Sequence, residues 1–271
     1  LADEYTAKAL QLREEKLGNT NMAVAASLNN YAVLHYNLGK YNESEKEFNE
    51  AIAVIKTNKL QEAMPYAIVL NNQAMLYQSM GNYEAAVKVL QQAMTLSAKL
   101  ESAKARNQLK FLSNLALLYQ QMGKYTEAEK IYLELDKKLD TGKPEQANLL
   151  NNYAILSLLM KKEDKVETML KQSAGIYKSS MGESSPAYAK VISDLGNFYR
   201  YKARYAEAEP LLQQALQIRE EVLGTNHPMY VQSQEDMAIL HWKQKDFTKS
   251  ISLYKTVMEK TLDFINSYFA P

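Results

Sequence analysis

The sequence predicts an all-α protein built from repeated helix hairpins. Its 271 residues include only 9 Gly and 6 Pro, fewer than the many tight turns of an all-β domain require. Small residues recur at an almost constant spacing along the chain. A turn signal follows each of them by seven residues, and in most repeats an aromatic residue then opens the next segment, as in Gly39-Lys40-Tyr41.

The repeat is defined by a column of small residues separated by 42, 42, 38, 42 and 42 positions. A second, mostly small column follows twelve residues later, and a larger apolar residue follows four beyond that. Small residues let two helices approach closely, and large ones fill the space beside them. One such hairpin cannot bury its apolar face alone, but a stack can. The first column consists of Ala32, Ala74, Ala116, Ala154, Gly196 and Ala238.

The elements follow in chain order from these columns. LREEKLG at 12–18 aligns with IREEVLG at 218–224, so residues 1–18 are interpreted as the second helix of a half repeat. This orphan helix is either an N-terminal cap or, as we favour, the start of a fragment of a longer array. We expect one array over residues 1–260 and a non-repeat tail at 261–271. The six predicted helix pairs span residues 19–58, 59–100, 101–138, 139–180, 181–222 and 223–260.

These offsets resemble the tetratricopeptide repeat, and the 42-residue length resembles the repeats of kinesin light chains. ALQIREEVLGTNHP at 215–228 is similar to the motif that joins repeats in that family. Lengthening each helix of the common 34-residue repeat by about one turn keeps the helix faces in phase. The resemblance implies a right-handed superhelix, with first helices lining a concave groove and second helices forming the outer shell.

Polar residues precede each small residue by two and three positions, and the resemblance places them in the groove. Asn costs a helix interior roughly 0.5 kcal/mol relative to Ala. Its amide can both donate to and accept from the main chain of an extended peptide. Alternatively, the amides cap neighbouring helices or join adjacent repeats, and both roles can coexist. The predicted groove residues are Asn29, Asn30, Tyr36, Asn71, Asn72, Gln78, Asn114, Gln120, Asn151, Asn152, Asp194, Asn197 and Arg200.

Three groove positions have alternative interpretations. Asp194 and Arg200 either hold oppositely charged ligand groups or, as we favour, pair with each other. Trp242 either anchors a partner or is covered by the C-terminal segment that carries Phe264 and Phe269, and we favour the covered state.

Composition and motifs exclude several classes of function. A net charge of +1 argues against nucleic acid and membrane partners. Without Cys there are no thiolate metal sites or Cys nucleophiles, and the redox compartment stays open, with the cytoplasm favoured. No phosphate-loop, dinucleotide or HExxH motif is present, so we expect no cofactor, no metal and no catalysis. Cations are missing at the inner positions that clamp chaperone carboxylates in this family, so such a clamp is not expected.

The predicted function is therefore a non-enzymatic scaffold, expected to be monomeric, that binds an extended peptide or partner segment in its groove. The alternative is a regulatory array that controls an effector, for example a caspase-like peptidase domain. FINSYFAP at 264–271 leaves the repeat pattern and resembles a junction of that sort. A third possibility is self-assembly through the apolar face of the orphan helix.

Overall fold

The computed structural model describes residues 2–100 and 104–269, which form thirteen α-helices and no strand. The predicted all-α helical repeat class is confirmed. None of the described helices is long and apolar enough to cross a membrane. The helices are α1 (Ala2–Leu17), α2 (Met22–Asn37), α3 (Tyr41–Thr57), α4 (Met64–Ser79), α5 (Tyr83–Lys99), α6 (Lys104–Gln121), α7 (Tyr125–Asp136), α8 (Pro144–Leu159), α9 (Val166–Met181), α10 (Pro186–Tyr201), α11 (Tyr205–Leu223), α12 (Pro228–Lys243) and α13 (Phe247–Phe269).

The chain divides into two compact units, Leu1–Leu135 and Asp136–Pro271. Each has its own apolar core. The core of the first unit includes Phe48 and Leu90, and that of the second includes Leu170 and Leu212. Even-numbered helices are the first helices of the hairpins and odd-numbered helices are the second. The single array predicted over residues 1–260, with its repeat limits and tail, stays a prediction.

All six hairpins reverse the chain in the same way. In the first, the Lys40 N–H donates to the His35 carbonyl at 2.9 Å, and the five later turns repeat this bond at the equivalent residues. The residue before the donor has positive φ, which favours glycine because no Cβ then meets the backbone. Gly occupies this position in three turns, whereas in the other three turns the residues that adopt the positive φ are Lys161, Ala203 and Lys245.

Inside each hairpin, the small columns bring the two helices together. Ser44 and Ser250 are fully buried, and their hydroxyls donate to the carbonyls of Ala32 and Ala238, at 2.8 and 2.9 Å. A small hydroxyl can therefore replace Ala in the second column, because the partner helix satisfies it. The large apolar column is buried in five repeats. Its sixth member, Tyr254, is 40% exposed, and it lies on α13, whose main packing partner among the described helices is α12.

The LREEKLG and IREEVLG segments share an arginine that packs between repeats. Arg219 is only 4% exposed, and its Nη1 donates to Ser233 Oγ at 2.5 Å and to the Met229 carbonyl at 3.2 Å. Arg13 makes the equivalent hydrogen bond to Ser27. In both cases the arginine of a second helix ties down the first turns of the helix that follows.

Gly196 marks the tightest helix approach in the small column, where the other repeats have Ala. A Cβ at this position would lie 2.8 Å from Leu212 Cγ and 2.9 Å from Cδ2. Gly175 also lies inside a helix, but a Cβ there would meet nothing within 4 Å. The same substitution at the two glycines should therefore change stability in opposite directions.

We expect Gly196→Ala to lower the free energy of unfolding by about 1 kcal/mol, since overpacking outweighs the gain in helix propensity. Gly175→Ala should raise it by about 0.5–1 kcal/mol, because only the propensity gain remains. Urea unfolding followed by circular dichroism measures both changes. A stabilised Gly196→Ala protein would show that Leu212 yields without cost.

Candidate functional site

Polar side chains of the first helices form a continuous pattern within each unit. We use the term ladder face for five positions on each first helix: two and three residues before the small residue, and one, four and five after it. The predicted groove residues all lie at these positions, and their side chains belong to helices that the hairpin packing already orients.

In the first unit, the ladder face is held by amide-to-amide bonds between neighbouring repeats. Asn72 Nδ2 donates to Asn29 Oδ1 at 3.0 Å, and Asn114 Nδ2 donates to Asn71 Oδ1 at 2.8 Å. Both bonds join residues 43 positions apart, one more than the repeat length. Position minus two of one repeat thus meets position minus three of the repeat before it.

The second unit keeps this register but replaces one amide with a carboxylate. Asn151 Nδ2 donates to Asp194 Oδ2 at 2.8 Å, and Ser193 Oγ donates to Asp236 Oδ2 at 3.0 Å, again across 43 residues. The alternative role of joining adjacent repeats is therefore present in both units. At least one residue of the polar pair in each first helix therefore has a structural partner.

We call a pair of ladder-face positions 43 residues apart a rung. The bonds above form one set of rungs, and a second set lies at the positions four and five residues after the small residue. The Tyr36 and Ser79 hydroxyls are 3.1 Å apart, and Gln78 Nε2 donates to Gln121 Oε1 at 2.8 Å. These contacts also span 43 residues. Gln120 departs from this pattern, since its Oε1 accepts from Tyr132 of its own hairpin at 3.2 Å.

Burial divides the predicted groove residues into two groups. Asn71 is only 1% exposed, and Asn151, Asn152 and Gln120 are also buried, so these side chains serve the interior of the array. Asn152 Nδ2 donates to Asn148 Oδ1 of its own helix at 3.3 Å. The others reach the surface: Asn30 is exposed, and partly exposed are Asn29, Tyr36, Asn72, Gln78, Asn114, Asp194, Asn197 and Arg200.

The favoured pairing of Asp194 with Arg200 is wrong. Asp194 Oδ2 accepts from Lys190 Nζ at 3.1 Å, one helical turn earlier, and from Asn151 Nδ2. Arg200 makes no hydrogen bond or ion pair with any described residue, and its Nη1 is buried without a partner. The lysine partner could have been found from the i, i+4 spacing of Lys190 and Asp194.

Asp236 is the most deeply buried carboxylate of the ladder face, at 6% exposure. Burial raises its pKa, because removing water disfavours the charged form. Hydrogen bonds from Asn197 and Ser193 and the charges of Arg200 and Arg219 act in the opposite direction. The carboxylate is thus held by donors on α10, and it ties α12 to that helix.

Trp242 lies at the outer end of this face and is 53% exposed. Its ring packs edge-on against Phe247, with centroids 5.0 Å apart. The expected cover by Phe264 and Phe269 lies outside the residues whose side chains are described. Trp242 occupies on α12 the position that Arg200 occupies on α10, four residues after the small residue, and Lys243 follows it in sequence.

The sequence analysis missed a charged cluster on the second helices and turns of the second unit. Glu167 accepts from Arg204 Nη1 and Lys171 Nζ, both at 2.7 Å, and from the Tyr199 hydroxyl at 2.9 Å. The Arg204 guanidinium contributes most to the fall in the pKa of Glu167, to about 2. Arg204 also pairs with Glu207. The i, i+4 spacing of Glu167 and Lys171 could have predicted their ion pair from the sequence. The contacts from Tyr199 on α10 and from Arg204, just before α11, could not be predicted in this way.

The histidines do not form a site. His35 Nδ1 lies 2.8 Å from Glu47 Oε1 inside the first hairpin, and burial raises the pKa of Glu47 while His35 opposes that rise. His227 caps α12 by accepting from the Met229 N–H at 3.1 Å. No group of three or more His, Asp or Glu side chains in the described part of the chain could hold a metal ion.

Family models now identify the class of this fold. Two models described as tetratricopeptide repeat match the chain, one over residues 65–135 and 180–260 and the other over residues 24–58. These matches cover more than half of the chain. The chain therefore belongs to the tetratricopeptide repeat family, as the spacing of its small residues predicted. No curated protein sequence matches the chain.

Solved structures share the fold at low sequence identity. Repeats of a protein assigned as a kinesin light chain from Podosopora anserina are 21% identical, with a TM-score of 0.54, covering 72% of this chain and 94% of that one. The quorum sensor NprR from B. thuringiensis is 18% identical, with a TM-score of 0.70 and coverages of 96% and 70%. A Rap protein complexed with competence and sporulation factor is 11% identical, with a TM-score of 0.62 and coverages of 96% and 84%.

The buried and exposed asparagines of the ladder face give a direct test of the bracing role. Asn71→Ala removes the acceptor for Asn114 and opens a small buried cavity, so we expect a loss of about 1–3 kcal/mol in the free energy of unfolding. Asn30→Ala, at an exposed position on the preceding first helix, should instead gain roughly 0.5 kcal/mol from helix propensity. Urea unfolding of both variants measures the difference, and equal effects would argue against bracing.

The Glu167 cluster predicts a specific acid sensitivity. Because the folded pKa of Glu167 is about 2, below its ordinary value of 4.5, its stabilising effect is present above about pH 4.5. That effect is lost as the pH falls from about 4.5 toward 2. Glu167→Gln should therefore flatten the fall of the urea midpoint between pH 5 and pH 2.5. Glu259→Gln, an exposed glutamate on α13, serves as the matched control and should leave the slope unchanged.

Proposed function

We propose that the chain is a non-enzymatic protein–protein interaction scaffold whose ladder face forms a groove that binds an extended peptide or partner segment. Membership of the tetratricopeptide repeat family supports the general class, since proteins of this family bind protein or peptide partners. The finer proposal concerns which surface binds and through which groups. We place the contacts on the exposed and partly exposed members of the predicted set.

The observation that carries the proposal is the register of hydrogen bonds across 43 residues. These bonds hold the polar side chains of successive first helices in fixed positions before any ligand arrives. Side chains that are already ordered lose little conformational entropy on binding, which favours affinity. Bracing and docking are compatible, because a carboxamide has two N–H donors and an acceptor oxygen with two lone pairs.

The amides with the most hydrogen-bonding groups left for a ligand are the least buried ones of the ladder face. Asn30 is exposed, and among the described residues it takes part only in a 3.5 Å donation from Asn29 Nδ2, at the outer limit of a hydrogen bond. Asn72 and Asn114 each use one donor on the neighbouring repeat and remain partly exposed. An extended peptide has an unpaired N–H and C=O at each residue, which such amides can satisfy.

We propose no catalytic role. On the ladder face, the described residues bring together no nucleophile, base and oxyanion donor in mutual contact. The charged and polar groups that do meet, such as Lys190 with Asp194 or Ser193 with Asp236, satisfy each other along or across helices.

A second candidate function is a regulatory array whose ligand controls an effector. It is favoured by the likeness in fold to a quorum sensor and to a Rap protein complexed with competence and sporulation factor, each matched over 96% of this chain. Such a sensor would use the same ladder face as the scaffold. It differs in requiring an effector that responds to the bound ligand.

The scaffold proposal predicts loss of peptide binding when the ladder amides are removed. We expect Asn30→Ala, Asn72→Ala and Asn114→Ala together to weaken peptides selected on the wild type by about tenfold or more, because three hydrogen bonds of roughly 1 kcal/mol each are lost. Fluorescence anisotropy with peptides from a random display library measures this loss, at a temperature where circular dichroism shows the triple variant folded.

The matched control replaces three exposed residues of second helices, Asn42, Gln91 and Lys130, by Ala. This variant should bind the same peptides as tightly as the wild type. Equal binding by the two triple variants would contradict the assignment of the groove to the ladder face. Failure of the wild type to enrich any peptide would contradict the scaffold proposal itself.

A further inference from the structure

Arg200 is the one cation on the ladder face that combines partial burial with a lack of partners among the described residues. Its Nη1 is fully buried with no hydrogen-bond acceptor, although the side chain as a whole is partly exposed. A guanidinium has five N–H donors and keeps its charge in proteins. Leaving a buried donor of a charged group without an acceptor is costly, so this side chain requires an explanation.

The repeat register shows why the partner is missing. Arg200 lies four residues after its small residue, the position of Tyr36 and Gln78 in the first unit. There, the residue 43 positions later closes the rung, as Ser79 and Gln121 do. For Arg200, that residue is Lys243. Two cations occupy a rung that joins a donor to an acceptor in the first unit, so this rung cannot close by itself.

The nearby carboxylates are already satisfied by other groups. Asp194 accepts from Lys190 and Asn151, and Asp236 accepts from Ser193 and Asn197. The charge of Arg200 reaches Asp236, but no ion pair forms between them. Arg219 and Glu235, which also belong to this part of the unit, are engaged by Ser233 and Gln232. A carboxylate for Arg200 is thus missing from the surrounding described side chains.

Asn197, one turn before Arg200 on α10, has an unsatisfied hydrogen-bond acceptor that complements the unsatisfied donor of Arg200. Its amide hydrogen-bonds Asp236, and its Oδ1 is buried without a donor. A ligand that carries a carboxylate next to an N–H would supply both missing partners. An acidic residue in an extended peptide has this combination, since its own or a neighbouring main-chain N–H lies within a few ångströms of its carboxylate.

We propose that Arg200 and Lys243 form an acceptor-deficient rung that binds a carboxylate of the peptide ligand, with Asn197 Oδ1 accepting a main-chain N–H beside it. The guanidinium takes the carboxylate through its fork of two N–H groups, and turning about its flexible stem brings Nη1 toward the ligand. Lys243 adds a second positive charge. Trp242 is exposed, precedes Lys243 in the sequence and occupies the position that Arg200 has in the previous repeat. It provides a flat apolar contact for the adjoining peptide side chain.

This inference rests on the proposed function, because it assigns the chemistry of one subsite of the same face. It requires the ligand to carry a carboxylate, whereas the bracing role requires no ligand. The carboxylate could belong to an acidic side chain within the peptide or to a C-terminus. Both sources present the same group to Arg200, and the position of the acidic group along selected peptides distinguishes them.

The test uses two random peptide display libraries, one with both peptide ends blocked by fusion and one with free C-termini, selected on the wild-type chain. We expect one acidic position to be enriched in selected peptides, and a synthetic Glu→Gln version of such a peptide to bind the wild type about tenfold more weakly. Enrichment in both libraries identifies an acidic side chain. Enrichment in the free-ended library only, abolished by C-terminal amidation, identifies a terminal carboxylate.

Arg200→Gln should lose most of the preference for the Glu peptide over the Gln peptide, because only the charge of Lys243 remains, and Arg200→Gln combined with Lys243→Gln should bind the two peptides equally. Arg200→Lys should keep a larger part of the preference because it retains charge without the fork. Lys255→Gln makes the same charge change at an exposed site on α13 and should keep the full preference. The subsite is disproved if selected peptides lack an acidic position, or if the Glu preference is undiminished in Arg200→Gln. Peptides that bind through the Asn30, Asn72 and Asn114 face without an acidic position would leave the scaffold proposal standing, whereas failure to enrich any peptide would remove both.

Discussion

The close approach of two helices at a small residue is the constraint on which every hairpin depends. Where Ala32 or Ala238 faces a small partner, a buried serine hydroxyl can reach the carbonyl of the other helix. Where the approach is tightest, even a methyl group has no room, and the chain uses Gly196 against Leu212. Since side chains on a helix surface follow its rotation, fixing this one face also fixes the direction of every polar side chain on the other.

The ladder face follows from that rotation. With the small residue turned inward, the residues two and three positions before it point toward the neighbouring repeats, and a step of 43 residues brings one amide within 3.0 Å of another. Asparagine suits this site because its short amide both donates and accepts. Where the second unit places Asp194 or Asp236 at the same step, the carboxylate accepts and the side chain of Asn151 or Ser193 donates. The pairing thus changes chemistry from one unit to the next while its geometry is kept.

Spacing alone predicted the hairpins well, because the turn, the small column and the large column are each local patterns. The predicted hairpin turns include those where Lys161, Ala203 or Lys245 replaces glycine, since the surrounding columns identify the turn without it. The site was predicted less completely. Which asparagine of a pair is buried depends on the offset between repeats, and the buried, unpartnered Nη1 of Arg200 becomes visible only in the structure. The cluster around Glu167 draws long side chains from three helices, and a linear pattern cannot show such convergence.

The 43-residue bonds have a consequence for how the chain folds. Each one links a repeat only to its immediate neighbour, so no contact of the ladder requires a distant part of the sequence to arrive first. Loop closure over such a short stretch costs little entropy, and arrays of this kind can nucleate at any hairpin and spread outward. The order in which hairpins assemble is therefore set by local stability, and within either unit a repeat that packs on a neighbour at each side must break two interfaces when it opens.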